Sequence, residues 1–265
     1  MPSRALLAGH GQNGTVTVGL ICAIPEELQH LDAMLIEPRP QRFAGIDFTS
    51  GVLDGRDVVV VGSGMGKVNA SVVTTILADR FACDAVVFSG VAGGVDPDLQ
   101  IGDLVIAEHV IQHDAGLIEG TTIQTYQAGH VPFANPTDEL GQRIDPQLLV
   151  RVRKQLDGFV LPPLSARAGG TGRKPRITYG TILTGDQYVH SDVFRDRLRR
   201  DLAGHAVEME GGAVAQVAEA FGIPWLLIRG LSDLAGRDSR FDFDEFVHEV
   251  AAMSAAVVRQ VLPVI

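Results

Sequence analysis

Several acidic residues and one arginine stand where a folded chain would not place charge without a use for it. Glu208 and Glu210 flank a methionine in "AVEMEGGAVA" (206–215), where a buried strand running into a small-residue helix is otherwise apolar. Glu26 and Glu27 follow the apolar "VGLICAIP", and Asp233 closes "WLLIRGLSD", which also carries Arg229. Burying such groups is costly unless they are compensated. All three acidic positions sit at or just past an apolar run, and in open α/β sheets the carboxyl ends of strands form the ligand crevice. Parallel neighbouring strands would therefore bring the acids together, with Arg229 offsetting part of their charge. Convergent carboxylates with no metal-type His/Asp cluster and no Ser-His-Asp ordering point to general acid–base work. Cleavage of a glycosidic bond through an oxocarbenium-like state suits them. One acid would protonate the departing group, another would activate water, and a third would grip sugar hydroxyls. Taken singly, each has a plainer explanation: Glu26 and Glu27 favour the first turn of a helix, and Asp233 caps a loop. Three acid-bearing strand ends together are harder to explain that way.

The elements that must position these groups are legible as short Val/Ile-rich runs. They are "VTVGLICAI", "DVVVVGSG", "DAVVFSGVAGG", "DLVIAEHVI", "YGTILTGD" and "IPWLLIRGLSD". Near-continuous apolarity of this length predicts strands covered on both faces. Between some of them lie helical patterns, "PEELQHLDAML", "NASVVTTILADRF" and "GGAVAQVAEAFG"; the last stops at Gly222 with Pro224 just beyond. Phe246, Val250, Met253, Val257 and Val261 recur on one helix face, and Asp242 with Glu245 fits a capping signal for a final helix. "LPPLSARAGGTGRKPR" (161–176) is expected to be an exposed loop insertion inside the domain. The expected fold class is α/β: a single domain over residues 16–265, three-layered, with a central mixed, mainly parallel sheet flanked by helices.

Composition narrows the partners. The chain has 265 residues, 46% of them apolar, and a formal net charge of −10. A core of useful size is affordable at that length, and an acidic surface without a basic run argues against nucleic acid and anionic membranes. No apolar stretch approaches a membrane span. Cys22 and Cys83 lack metal-type spacing and read as reduced, buried thiols. Residues 1–15 read as a flexible extension too weakly apolar for a secretion signal, so a cytoplasmic location is expected. "GSGMGKVNA" resembles a nucleotide loop only superficially. Val61 and Val68 stand where a Walker loop needs Gly and Ser/Thr, and Lys67 where a dinucleotide loop needs its third glycine. What survives is a strand, a glycine turn and a helix start whose amides can approach a ligand. "SGVAGGVDPDLQIGD" is a second such turn, letting backbone lie against a flat ligand or sugar.

With these motifs in order, the chain resembles the 5′-methylthioadenosine/S-adenosylhomocysteine nucleosidases of the purine nucleoside phosphorylase-like superfamily, and their actinobacterial type most. The resemblance runs from Val18 to Val261 and rests on "VGLICAIPEEL", "GSGMGKVNA", "GVAGGVDPDLQIGD", "QHD", "LTGDQYV", "VEMEGGAVAQVA", "IRGLSDLAG" and "FDFDEF". It implies hydrolysis of 5′-methylthioadenosine, S-adenosylhomocysteine and 5′-deoxyadenosine to adenine and a 5-substituted ribose, in nucleoside catabolism and methionine salvage, with no cofactor and no metal. By position, Glu27 matches the proton acceptor that activates water and Asp233 the donor to the purine's imidazole ring, oriented by Ser232. Met209 and Glu210 match the ribose grip. Glu208 and Arg229 match the groups that order the water. Gly93 and Val189 match ligand-lining backbone, Tyr188 the aromatic stacked on the base, and Ile24 and Phe243 the surroundings of the 5′ substituent. Burial is expected to raise the pKa of Asp233, while Arg229 keeps Glu27 ionised.

Phosphorolytic members of the superfamily bring arginines to phosphate at two places which here read "CAIPEE" and Phe88, so water is the expected nucleophile. A phosphate-dependent phosphorylase and a non-catalytic nucleoside-binding protein are the alternatives. Val91 stands where these nucleosidases commonly carry Ser or Thr, which shifts water positioning onto Glu27, Glu208 and Arg229. The family also implies a homodimer, with "YQAGHVPFANP" and its Val131, Pro132 and Phe133 in the region that closes the partner's site. His113 and Asp114 of "QHD" are read as structural. The residues leave open which 5′-substituted adenosine is preferred, an aminofutalosine-type nucleoside included.

Overall fold

The computed structural model describes residues 16–120, 122–165 and 172–265, excluding the side chains of 122 and 239–245. The expected extension at 1–15 and the centre of the expected loop at 161–176 lie outside them.

Every apolar run singled out above is a strand. β1 (Val18–Cys22), β4 (Arg56–Gly62), β5 (Ala85–Gly94) and β12 (Trp225–Asp233) pair in parallel, in the order β12-β5-β1-β4. β6 (Leu104–Gln112), β10 (Ile177–Thr184) and β11 (Gly204–Glu208) form a second parallel group. The groups join where β12 meets β6 antiparallel at Ile228–Ile106. They meet again where β11 turns back on the end of β5 at Val207–Gly93, so the sheet curls onto itself. Burial of β1 and β12 at every position explains their unbroken apolarity, because helices cover both faces.

An antiparallel edge extends the sheet, β2 (Ile36–Phe43) pairing with β3 (Ile46–Leu53) and β3 with β4. β2 is almost wholly exposed and carries Pro38 and Pro40, as an edge strand tolerates. Its turns, Ala44-Gly45 and Asp54-Gly55, all have positive φ, the geometry that two-residue hairpins require. β7 (Gly116–Glu119) and β8 (Thr122–Thr125) form a separate hairpin, and β9 (Gln142–Arg143) pairs with β6.

α2 (Lys67–Asp79) packs on α5 (Gly211–Phe221), which lies on β6, β10 and β12; α6 (Ser239–Val261) covers β12 and β5 and meets α1 (Pro25–Asp32) and α3 (Pro146–Gln155). α4 (Asp192–Leu202) follows β10 and is capped by Ser191, whose hydroxyl accepts from Phe194 N. α5 ends at Gly222 in the left-handed region, φ 68°, as its sequence predicts. Val250, Met253, Val257 and Val261 are buried along one face of α6. The helix starts at Ser239, ahead of the expected cap at Asp242. At the described ends of the 161–176 segment, Leu161 is buried, and Arg173 and the Arg176 amide hold the buried Asp103 at 2.8 and 2.7 Å.

Gly230 decides how closely α6 sits on β12. A Cβ there would lie 2.3 Å from Val250 Cγ1 and 2.9 Å from Ser254 Oγ, the hydroxyl that donates to Gly90 O. Gly230→Ala is expected to destabilise the fold by about 1–3 kcal/mol through overpacking, read as a lower urea midpoint at unchanged m.

Candidate active site

Glu27 owes its position to the break after β1. Pro25 opens α1, and Glu27 at the third helical position turns back over the first turn. One carboxylate oxygen accepts from Ala23 N (2.7 Å) and Ile24 N (3.2 Å), the other from Val91 N (2.8 Å) at the end of β5. The local capping role and the crevice role are thus played by the same side chain. Gly90 makes this possible, since a Cβ there would stand 2.4 Å from Glu27 Oε1 and 2.9 Å from Arg229 Nη1.

Glu208 ends β11, and its carboxylate is the hub of the site. Arg229 donates to Oε2 from Nη2 (2.6 Å) and Nε (3.2 Å), Gly211 N donates at 2.8 Å, and the Thr184 hydroxyl donates to Oε1. Glu210 does not continue the strand, as its spacing from Glu208 implies; it is the residue from which α5 starts. Its side chain still faces the crevice, because Gly66 N donates to Oε1 at 2.7 Å and Arg229 Nη2 lies 3.8 Å from Oε2. Arg229 is buried against the face of Phe88, 3.9 Å from the ring centre, and its Nη1 has no hydrogen-bond partner among the described residues. Asp233, buried at the end of β12, accepts from Ala235 N (2.8 Å) and from Ser232 Oγ (3.1 Å).

The acids share one cavity of about 200 Å³. Its wall includes Ile24, Glu27, Gly93, Tyr188, Val189, Glu208, Met209, Glu210, Ser232 and Asp233, ten of the residues the sequence marks. Arg229 lies behind that wall, bonded to Glu208, and the Phe243 side chain lies outside the described residues. Met65, Gln187, Val207 and Ala235 also line the space and went unmarked, as did Lys67, Asp186 and Thr184, which hold lining residues in place. Gln187 had a signal, since it lies inside "LTGDQYV"; Met65, in an exposed glycine turn, had none beyond its neighbours. Gly93 again matters for what it lacks: a Cβ would come within 2.9 Å of Asp233 Oδ1.

Burial governs the charge states. It lifts the pKa of Glu27 above the usual carboxylate range, outweighing Arg229 and the three amides that favour the anion. Arg229 favours the Glu27 anion, as the sequence led one to expect, but burial outweighs it. Glu210 is pushed up to about 7, first by burial and then by Glu208. Burial pulls Arg229 down, but Glu208, Glu210 and Glu27 outweigh it, so the guanidinium stays charged.

The α/β architecture places the chain in a broad class, for residues 17–263 match the family model of the Phosphorylase superfamily. Within that class the chain is 58% identical over 250 residues to the 5′-methylthioadenosine/S-adenosylhomocysteine nucleosidase of Mycobacterium bovis, covering 94% of this chain and 98% of the relative. It superposes on the solved Helicobacter pylori enzyme of that name with a TM-score of 0.79 at 28% identity, over 94% and 99% of the two chains. Futalosine hydrolase of the same organism gives a TM-score of 0.78 at 26% identity, over 94% and 98%. The chain belongs to the 5′-methylthioadenosine/S-adenosylhomocysteine nucleosidase family.

The raised Glu210 pKa carries a stability consequence. The folded chain keeps a proton that the unfolded chain releases near 4.5, so this contribution is present at acid pH and is lost as pH rises through about 7. Ligand-free protein is expected to lose about 1–3 kcal/mol from this source between about pH 5 and pH 8. Glu210→Gln should show a correspondingly flatter profile in urea titrations across that range; an equal slope in both proteins would refute the assignment.

Proposed function

We propose that the protein hydrolyses the N-glycosidic bond of 5′-methylthioadenosine and related 5′-substituted adenosines, releasing adenine and the 5-substituted ribose. The observation that carries this reading is the shared cavity of Glu27, Glu210 and Asp233. Glu27 takes a proton from water as its oxygen bonds to the anomeric carbon. The glycosidic electron pair leaves with the base, and Asp233 supplies a proton to the purine's imidazole ring. Adenine departs poorly until protonated, and Asp233, buried in the cavity wall, is the acid placed to supply that proton. Met209 and Glu210 hold the ribose, Tyr188 stacks on the base, and Ile24 and Phe243 surround the 5′ substituent. Glu208 and Arg229 order the water, a role supported by the buried Arg229 Nη1, a donor with no partner among the described residues.

Water, not phosphate, fits this lining. Among the described lining residues there is no cation, and the nearby guanidinium lies behind the lining with its Nε and Nη2 on Glu208. Phosphate would meet three carboxylates at low local dielectric. Val91 offers its backbone amide to Glu27, so the missing Ser/Thr hydroxyl does not leave that carboxylate unfixed.

The same reading includes a homodimer and a cytoplasmic location. Apolar side chains remain exposed: Met65 (62%), which lines the cavity, Val68 (74%) in the first turn of α2, and Phe133 (80%) within "YQAGHVPFANP". A second copy covering them would remove apolar surface from water. No described helix is long and apolar enough to cross a membrane.

Adenine release from 5′-methylthioadenosine is expected to proceed at the same rate with and without phosphate. Asp233→Asn should lower kcat by about a thousandfold or more while leaving nucleoside binding measurable by calorimetry. Phosphate-dependent release would favour a phosphorylase, and undiminished turnover in Asp233→Asn would remove that residue from the chemistry. Relative kcat/KM for methylthioadenosine, adenosylhomocysteine, 5′-deoxyadenosine and an aminofutalosine-type nucleoside ranks the substrates.

A further inference from the structure

Two walls of the cavity are fastened to each other by groups that touch no reacting atom. The glycine turn after β4 presents successive amides to two carboxylates: Gly66 N donates to Glu210 at 2.7 Å, and Lys67 N donates to Asp186 at 2.8 Å. The Lys67 ammonium then reaches Asp114 at 2.7 Å and Asp186 at 4.0 Å. Asp114 in turn accepts from Asp186 N at 2.9 Å. Asp186 directly precedes Gln187, Tyr188 and Val189, which line the cavity. One ammonium therefore ties the turn that holds Glu210, the end of β6 and the segment that meets the base.

We propose that Lys67, acting through Asp114 and Asp186, is a positioning residue that fixes the spacing between the sugar-gripping Glu210 and the base-lining segment 187–189. The proposal rests on the hydrolase reading given above and adds a role to "QHD" and to the lysine of "GSGMGK".

The geometry supports a positioning role over a decorative surface pair. Lys67 and Asp114 side chains are only 20% and 11% exposed, so the pair is screened less than one in open water. Burial alone would raise Asp114, yet Lys67 and the Asp186 amide bring it below the usual carboxylate range, keeping it charged. His113, next to Asp114, packs against the backbone that leads into Asp186: a Cβ on Gly185 would lie 2.3 Å from its Nε2. Without the ammonium, Asp114 and Asp186 become neighbouring like charges, and the relief available to them is for the base-lining segment to move away from the turn. Substrate spanning both walls would then bind with its base or its sugar misplaced, while Glu27 and Asp233, held by other elements, keep their chemistry.

The test compares Lys67→Met, Lys67→Arg, Asp114→Asn and the Lys67→Met/Asp114→Asn double variant by steady-state adenine release from 5′-methylthioadenosine, with thermal melts confirming folding. Lys67→Met is expected to raise KM about tenfold or more with kcat changed by less than about threefold. Lys67→Arg should recover most of the loss, and the double variant should be no worse than Lys67→Met, because both changes break one link. Should Lys67→Met fail to fold, the near-isosteric Asp114→Asn with a raised KM carries the same conclusion. An unchanged KM in folded Lys67→Met and Asp114→Asn, a fall in kcat alone, or additive losses in the double variant overturns the positioning role. Wild-type protein assayed alongside separates the two claims: no adenine from wild type sinks the hydrolase reading, whereas normal wild-type turnover with unaltered variants sinks only this one.

Discussion

A single buried guanidinium makes the rest of the site possible. Glu27, Glu208 and Glu210 are all buried, and three carboxylates so placed would drive one another to protonate or the structure apart. Arg229 bonds one of them directly, stands 3.8 Å from a second, and acts electrostatically on the third. Its own burial is tolerable because Phe88 offers an aromatic face to the cation. Total neutralisation would defeat the purpose, however. One cation among three acids does not offset their burial, and it is burial, joined at Glu210 by the neighbouring Glu208, that keeps Glu27 and Glu210 above their ordinary range.

Backbone amides supply what the lone cation does not. Glu27 takes three, Glu208 takes those of Gly211 and Glu210, Glu210 takes one from Gly66, and Asp233 takes one from Ala235. Each donor comes from a strand end or a helix start. Glycine recurs at these points because the carboxylates come too close for a Cβ, as at Gly90 and Gly93. The sheet's curl, closing β11 on β5, is what puts the end of one parallel group against the end of the other.

Much of this was legible in the chain because burial leaves a strong mark on composition. The six apolar runs are all strands, and acids at the ends of such runs signal a site whatever the topology. The parts that were not legible lack that mark. β2, "IEPRPQRF", is a polar edge strand whose pairing is fixed by β3. α4 is mostly charged and α3 is strongly basic toward its end, and their amphipathic stripe is thin: only Leu148 and Val152 of α3, and Leu198 of α4, are buried. The spacing of Glu208 and Glu210 implied a common strand face, yet the chain turns into α5 between them and reaches a shared cavity by a different route. Long-range pairs such as Lys67 with Asp114 have no local pattern to betray them.

The glycine turn at 62–67 shows how one backbone device can serve opposite ends. In nucleotide-binding proteins such a turn leaves its amides free for phosphate. Here Gly66 and Lys67 spend theirs on the protein's own Glu210 and Asp186, and the lysine that follows is neutralised by Asp114. An added anion would thus find neither an open amide cradle at this turn nor a spare countercharge. The anion berth of this turn is already occupied in the folded scaffold by the protein's own carboxylates.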